Sequence, residues 1–222
     1  MPSLEPISGG PGLTKDESLT DRRPLRRGEH RREQLLEAAM AVFGERGYDG
    51  TSVVDIAERA QIAKSVIYDH FASKAELHRA LVEAEGHALL AHVADSVPPP
   101  PTASAEERLR AGVDAFLSYV EARPSSWRLL VRDAPAHPEL SEVHARVQAE
   151  ATNAILALIE PHAPADPDKR RHKEMLAELL KTAISGLASW WYEHREVPRR
   201  ELVDTVMEFA WRGLERQAPG NS

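Results

Sequence analysis

The chain contains no cysteine. Disulfides, thiol nucleophiles and thiolate metal sites are thereby excluded, and a reducing compartment fits the composition. No apolar run approaches the roughly 18 residues that would cross a bilayer. Residues 1–21 lack the apolar stretch of a secretory signal. A cytoplasmic protein with no membrane partner is therefore expected. Also missing are a nucleophile elbow, a phosphate loop and any metal-ligand set, so the chain is read as not an enzyme, with no cofactor and no metal. The ten histidines include no pair spaced three or four apart. Glu83 and His87 share a helix face, but two ligands do not make a metal site, and an exposed ion pair is expected there.

What is present is an ordinary globular balance, 42% hydrophobic and 28% charged over 222 residues, enough for one or two domains with a buried core. The net charge of -7 looks unfavourable for a nucleic-acid binder, but its distribution is uneven. Through residue 75 there are 11 Lys and Arg against 12 Asp and Glu, so about six of the excess negative charges fall after that point. Six arginines cluster at Arg22, Arg23, Arg26, Arg27, Arg31 and Arg32. An acidic body with a basic end remains compatible with DNA.

Helical periodicity runs through most of the chain, and no segment reads convincingly as a strand. Residues 1–28, rich in Pro, Gly, Ser and Arg, are expected to be a disordered basic tail. Leu36, Ala39, Met40 and Phe43 mark a first helix over about 30 to 46, with Gly47 as its left-handed stop. Ser52-x-x-Asp55 is a capping box for a second, short helix carrying Val53, Ile56, Ala57 and Ala60. A break at Gln61 and Ile62 leads to a third over 64–71, anchored by Ile67 and Phe71. Ser73-x-x-Glu76 opens a long fourth helix with Leu77, Leu81, Ala84 and Ala88 on one stripe. The proline run 98–101 ends it. Ser104-x-x-Glu107, Pro124, Pro138, Asp166-Pro167 and Pro198 each introduce a further helix, giving nine in all.

The second and third helices, joined by a tight turn, have the form of a helix-turn-helix, whose third helix would lie in a DNA major groove. The landmarks Ala38-Ala39, Phe43, Gly47-Tyr48, Thr51, Asp55-Ile56-Ala57, Ala60, Tyr68, His70-Phe71 and Ser73-Lys74 resemble the N-terminal domain of the tetracycline-repressor (TetR) family. The resemblance implies an all-α, nine-helix fold: a three-helix DNA-binding domain over 29–75 and a helical ligand-binding and dimerisation domain over 76–218. It further implies a homodimeric repressor released from double-stranded DNA by a small-molecule effector. The sequence departs from the family where DNA is read. Gln61-Ile62-Ala63 stands in place of Gly-Val-Ser, and Val66 in place of Thr. A left-handed turn at Gln61 would cost about 1 kcal/mol, and Ala63 cannot cap the third helix.

Candidate DNA contacts are Thr51, Lys64, Ser65, Val66, Tyr68, Asp69, His70 and Lys74. The bland reading of the polar ones is a solvated helix face. The arginine cluster is either a minor-groove arm or a solubilising tail. Candidate ligand contacts are Phe116, Tyr119, Trp127, Val131, His144, Val147, Met175, Leu179 and Ala183, with Tyr119, His144 and Asn153 as polar anchors; plain core is the alternative. The last two helices carry more apolar surface than one stripe requires, so Trp190, Trp191, Leu202, Val206, Phe209 and Ala210 are expected at a dimer interface, with a palindromic operator to match. An effector-independent architectural DNA binder is the other functional class that these residues allow; it predicts no cavity.

Overall fold

The computed structural model describes residues 22–132, 137–159 and 166–215. They form nine α-helices and, among the described residues, no strand: α1 Arg22–Arg46, α2 Val53–Ala60, α3 Lys64–His70, α4 Lys74–Ser96, α5 Ala105–Ala122, α6 Pro124–Trp127, α7 Pro138–Ile159, α8 Pro167–Glu193 and α9 Arg199–Glu215. A π-helical turn, Arg128–Arg132, continues α6.

The helix starts follow local chemistry. The Ser52 hydroxyl accepts from the Asp55 N–H at 3.2 Å while the Asp55 carboxylate accepts from the Ser52 N–H at 2.8 Å, which closes the capping box of α2. Ser104 and Glu107 repeat this reciprocal pair at α5. At α4 the Ser73 hydroxyl caps the Glu76 N–H, but the Glu76 carboxylate reaches one residue further back, to the Ala72 N–H. Asp166 caps α8 ahead of Pro167 at the first helical position. One boundary differs from expectation. Helix α1 begins at Arg22 rather than near residue 30, so part of the expected tail is helical. Pro24 falls in the first turn, where its missing N–H has no acceptor in any case. Residues 1–21 lie outside the described residues.

Two apolar cores share one boundary. The first gathers Leu35, Phe43, Tyr48, Ile56, Ile67 and Phe71 of α1 to α3 with Leu77, Leu81 and Val82 of α4, and continues into Leu129, Leu130, Leu140, Val143 and Val147. The second joins α5, α8 and α9 around Trp127 and Trp191. Each such side chain contributes about 1.5–3 kcal/mol when fully buried. The DNA-binding helices therefore do not close a core of their own; α7 and the π turn complete it. Gly86 allows the close crossing of α4 and α7, because a Cβ there would stand 2.9 Å from Val147 Cγ1.

Candidate nucleic-acid interface and cavity

The turn between α2 and α3 is held as a Schellman motif. Gln61 takes φ 54 and ψ 42 in the left-handed region. The Ile62 N–H donates to Ala57 O at 3.0 Å, and the Gln61 N–H donates to Glu58 O at 3.1 Å. The left-handed cost expected for a non-glycine residue at this position is thus incurred. Ala63 begins α3 with no side-chain cap. Ile67 and Phe71 anchor α3 in the core, and Arg32 lays its guanidinium over the Phe71 ring, 5.3 Å from the centroid. Away from that anchor Lys64, Ser65, Tyr68 and Asp69 are exposed, while Val66 and His70 are half-buried. Lys64 Nζ sits 5.5 Å from the Tyr68 ring centroid. Asp55 stays with α2, where the Ser52 hydroxyl and N–H and then Arg46, at 2.7 Å, hold its carboxyl below the usual carboxylate range.

Two expected phosphate contacts are corrected. Thr51 is 3% exposed, and its hydroxyl donates to Gly47 O at 2.7 Å. Lys74 donates to Tyr48 O at 2.8 Å and Thr51 O at 3.0 Å, with its ammonium 4.1 Å from the Tyr48 ring centroid. The Thr51 hydroxyl closes the α1–α2 turn onto the end of α1, and the Lys74 side chain ties that turn to the start of α4. The same sequence landmarks serve a structural purpose here, because the carbonyls left over at a turn need donors.

Behind Tyr48 lies a buried aromatic cluster. His78 packs edge-on to Phe43 and Tyr48, at 5.0 Å each, and lies 5.7 Å from His144 of α7. Burial, then the neighbouring His144 and Lys74, lower the His78 pKa to about 3, so it is buried neutral. Burial lowers the His144 pKa too, against a partly compensating hydrogen bond with the Leu130 backbone.

Between the two cores is a cavity of about 100 Å³, lined by α4, α5, the α6–π segment, α7 and α8. Phe116, Trp127, Val131 and Val147 are in its wall, as are Leu89, Leu90 and Val93 of α4. Leu89 and Leu90 were missed because they lie off the main stripe of α4. The wall is apolar apart from Gln148, Lys181 and Ser185. Six expected contacts, counting the polar anchor Asn153, lie elsewhere. Met175, Leu179 and Ala183 face outward on α8, the first two at 53% and 67% exposure, while the cavity takes Leu180, Lys181 and Ile184 from the adjoining face. His144 belongs to the aromatic cluster. Tyr119 is outside the lining and donates to the Glu85 carboxylate at 2.8 Å; burial, then the negative Glu85, raise its pKa. Asn153 is exposed.

The expected dimer residues divide in the same way. Trp191, Leu202 and Val206 are at most 6% exposed within the protomer, so these three are corrected to core positions, while Ala210 is half-buried against the edge of the second core. Trp190 and Phe209, at 46% and 74%, remain outside. Met175, Leu179, Ala183, Gly186 and Trp190 make one outward stripe on α8, and nothing lies within 4 Å of where a Gly186 Cβ would be. Glu83 and His87 do not pair with each other: Glu83 meets Arg146, and His87 meets Glu150 at 3.8 Å, both across to α7.

A helix-turn-helix with an exposed third helix, joined through one core to a helical body that encloses an apolar cavity, defines a DNA-binding transcription regulator. The model for bacterial regulatory proteins of the tetR family matches residues 35–81, and that for the tetracyclin repressor-like C-terminal domain matches residues 105–213. The HTH-type transcriptional activator FasR of Mycolicibacterium smegmatis is 32% identical over 189 residues, which are 84% of each chain. The chain belongs to the TetR family of transcriptional regulators. A 47-residue stretch, 21% of this chain and 24% of the relative, is 53% identical to the HTH-type transcriptional repressor KstR2 of Mycobacterium tuberculosis. Among solved structures, a TetR-like transcriptional regulator from Rhodococcus sp. RHA1 has a TM-score of 0.68 and 29% identity, covering 83% of this chain and 96% of that one. FadR of Bacillus subtilis, solved in complex with stearoyl-CoA, shares the fold with a TM-score of 0.68 at 16% identity, over 80% of this chain and 96% of its own. No helix among the described residues is long and apolar enough to cross a membrane.

Proposed function

We propose that this chain is a homodimeric, sequence-specific repressor that a mainly apolar small molecule releases from a palindromic operator in the cytoplasm. Lys64, Ser65, Tyr68 and Asp69 meet the DNA, with Val66 and His70 at the flank of the recognition helix. The outward faces of α8 and α9, through Leu179, Trp190 and Phe209, pair with a twofold-related copy.

One observation carries the reading. Leu89, Leu130, Val131 and Val147 line the cavity and also pack in or against the core that holds the recognition helix. A ligand that shifts those four side chains must move something in the DNA-binding core, because close-packed interiors do not absorb displacement freely. An architectural binder would have no use for such a cavity. The fold shared with the FadR solved with stearoyl-CoA is in keeping with an elongated apolar effector. FasR is named an activator and KstR2 a repressor; the sign of control follows operator position, whereas release by ligand is a property of the chain.

The test is fluorescence anisotropy on a DNA fragment selected from random sequence, titrated with a panel of apolar compounds. A true effector should lower DNA affinity about 5- to 150-fold, the range of a 1–3 kcal/mol coupling, and DNA should weaken the effector by the same factor. If every compound that binds the free protein leaves DNA affinity unchanged, the cavity is not a switch.

A further inference from the structure

The chemistry of the effector can be narrowed from the cations near the cavity, and this step rests on the effector reading above. Lys181 is in the wall, but its charge is already met: Nζ lies 2.8 Å from the Glu178 carboxylate and 3.0 Å from the Thr152 hydroxyl. On α5 and α9, Arg110 pairs with Asp204, and Arg199 pairs with Asp114 and Glu121. Arg108 differs from all of these. It is 7% exposed, donates through one terminal nitrogen to Ala157 O at 2.9 Å, and leaves Nε without a partner. Among the described residues it has no carboxylate partner, and the adjacent Glu107 carboxylate is taken up by the Ser104 cap. An arginine cannot shed its proton, so the guanidinium is a buried charge that, among the described residues, meets a carbonyl of the last turn of α7 and no carboxylate.

Its place relative to the cavity is set by two neighbours. Arg108 stands one helical turn before Gly112, which lines the cavity, on the same side of α5. Leu158 also lines the cavity and packs on Gly112, where a Cβ would come within 2.7 Å of Leu158 Cδ1. The carbonyl that Arg108 binds is that of the preceding residue, Ala157. Arg108 is not itself part of the lining; its guanidinium lies beside the stretch of α7 that carries Leu158, next to the part of the wall that Leu158 and Gly112 form.

We infer that the effector is an amphipathic anion, its apolar chain lying in the cavity and its carboxylate or phosphate head accepting the free donors of Arg108. A planar fork of donors suits either head group, and the head group would give the buried guanidinium an anionic partner beside the helix carbonyl it already meets.

The test compares three probes of equal chain length on the full chain, dodecanoate, dodecyl phosphate and 1-dodecanol, below their aggregation concentrations, with affinity read from tryptophan fluorescence. At least one anion should bind the wild type about tenfold or more tighter than the alcohol, as a charge-assisted pair requires, and the tighter of the two identifies the head group. Arg108→Met should abolish that preference with alcohol affinity unchanged, Arg108→Lys should keep part of it, and Lys181→Met should keep all of it. Without ligand, Arg108→Met should hold or raise Tm. Equal binding of alcohol and anions to the wild type, or a preference that survives Arg108→Met or is lost with Lys181→Met, overturns the inference. A fall in Tm with the preference intact assigns Arg108 to holding the end of α7 instead. If none of the three binds the wild type, the effector reading beneath the inference fails as well, which the other outcomes do not imply.

Discussion

Helices α3 and α8 are built on different plans. The seven-residue α3 buries Ile67 within one line of contact and leaves Tyr68 and its polar neighbours to solvent. The 27-residue α8 carries apolar side chains on two faces, Leu180, Ile184 and Trp191 turned inward and Met175, Leu179 and Trp190 turned outward. A short helix with one stripe is held entirely by what that stripe touches, and its other faces are free to read a ligand. A helix that is apolar on two faces needs two partners, and a single protomer supplies only one. The contrast separates the surface proposed to recognise DNA from the surface proposed to pair two copies.

The comparison is tested most severely at the α3 anchor. Ile67→Ala should cost about 2–5 kcal/mol, since the side chain is fully buried and the hole cannot collapse without moving Phe43 or Phe71. Tyr68→Ala should stay within about 0.5 kcal/mol of wild type in stability while weakening DNA binding. Chemical denaturation of both variants decides it; equal losses would mean that Tyr68 is part of the anchor. At α8, the double change Leu179→Glu and Phe209→Glu should give folded monomers whose operator affinity falls about 100-fold or more, because the second half-site no longer benefits from the first. Sedimentation together with anisotropy reads both properties, and a variant that remains dimeric would remove this face from the assembly.

The buried histidines give an effect of intermediate size. His78 is neutral in the fold with a pKa of about 3 against an ordinary 6.5, so between those values the unfolded chain binds more protons than the native one. Stability is therefore full above pH 6.5 and declines as pH falls toward 3. The decline from pH 7 to 5 should be about 2 kcal/mol from this residue alone, with His144 adding in the same direction. Urea midpoints at the two pH values measure it; a slope that persists in His78→Phe would have to be assigned to other groups. The smallest changes concern the turn before α3. Gln61→Gly relieves a left-handed residue and Ala63→Ser supplies the missing cap, so each should add about 1 kcal/mol, or about 2–4 °C in Tm for a chain of this size. Destabilisation by Gln61→Gly would show that the Gln61 side chain makes a contribution larger than the relief of strain.

Features governed by short-range chemistry were legible before any fold was known. The capping pairs at Ser52 and Ser104, the proline-led helix starts and the left-handed Gly47 all depend on groups within a few positions along the chain, while the left-handed Gln61 and the uncapped Ala63 follow from the family resemblance of the turn. The apolar stripes of α1 to α3 were legible for a related reason: a helix with one stripe has only one way to bury it. For α8 and α9 that logic ran out. Periodicity showed two apolar faces but carried no label for the inward one, so Leu179 was expected in the cavity and Trp191 at the dimer face, whereas Leu179 is exposed and Trp191 lies in the second core. Thr51 and Lys74 were misplaced because a polar residue beside a DNA-reading helix has two outlets, phosphate or a spare carbonyl. Only the approach of α4 to the α1–α2 turn brings Tyr48 O and Thr51 O within reach of the lysine. By itself, then, the sequence determined the helices, their ends apart from the start of α1, and the apolar anchor of α3. The cavity wall, the buried histidine pair and the isolation of Arg108 were decided by tertiary packing, because each joins residues separated along the chain by distances over which no local propensity acts.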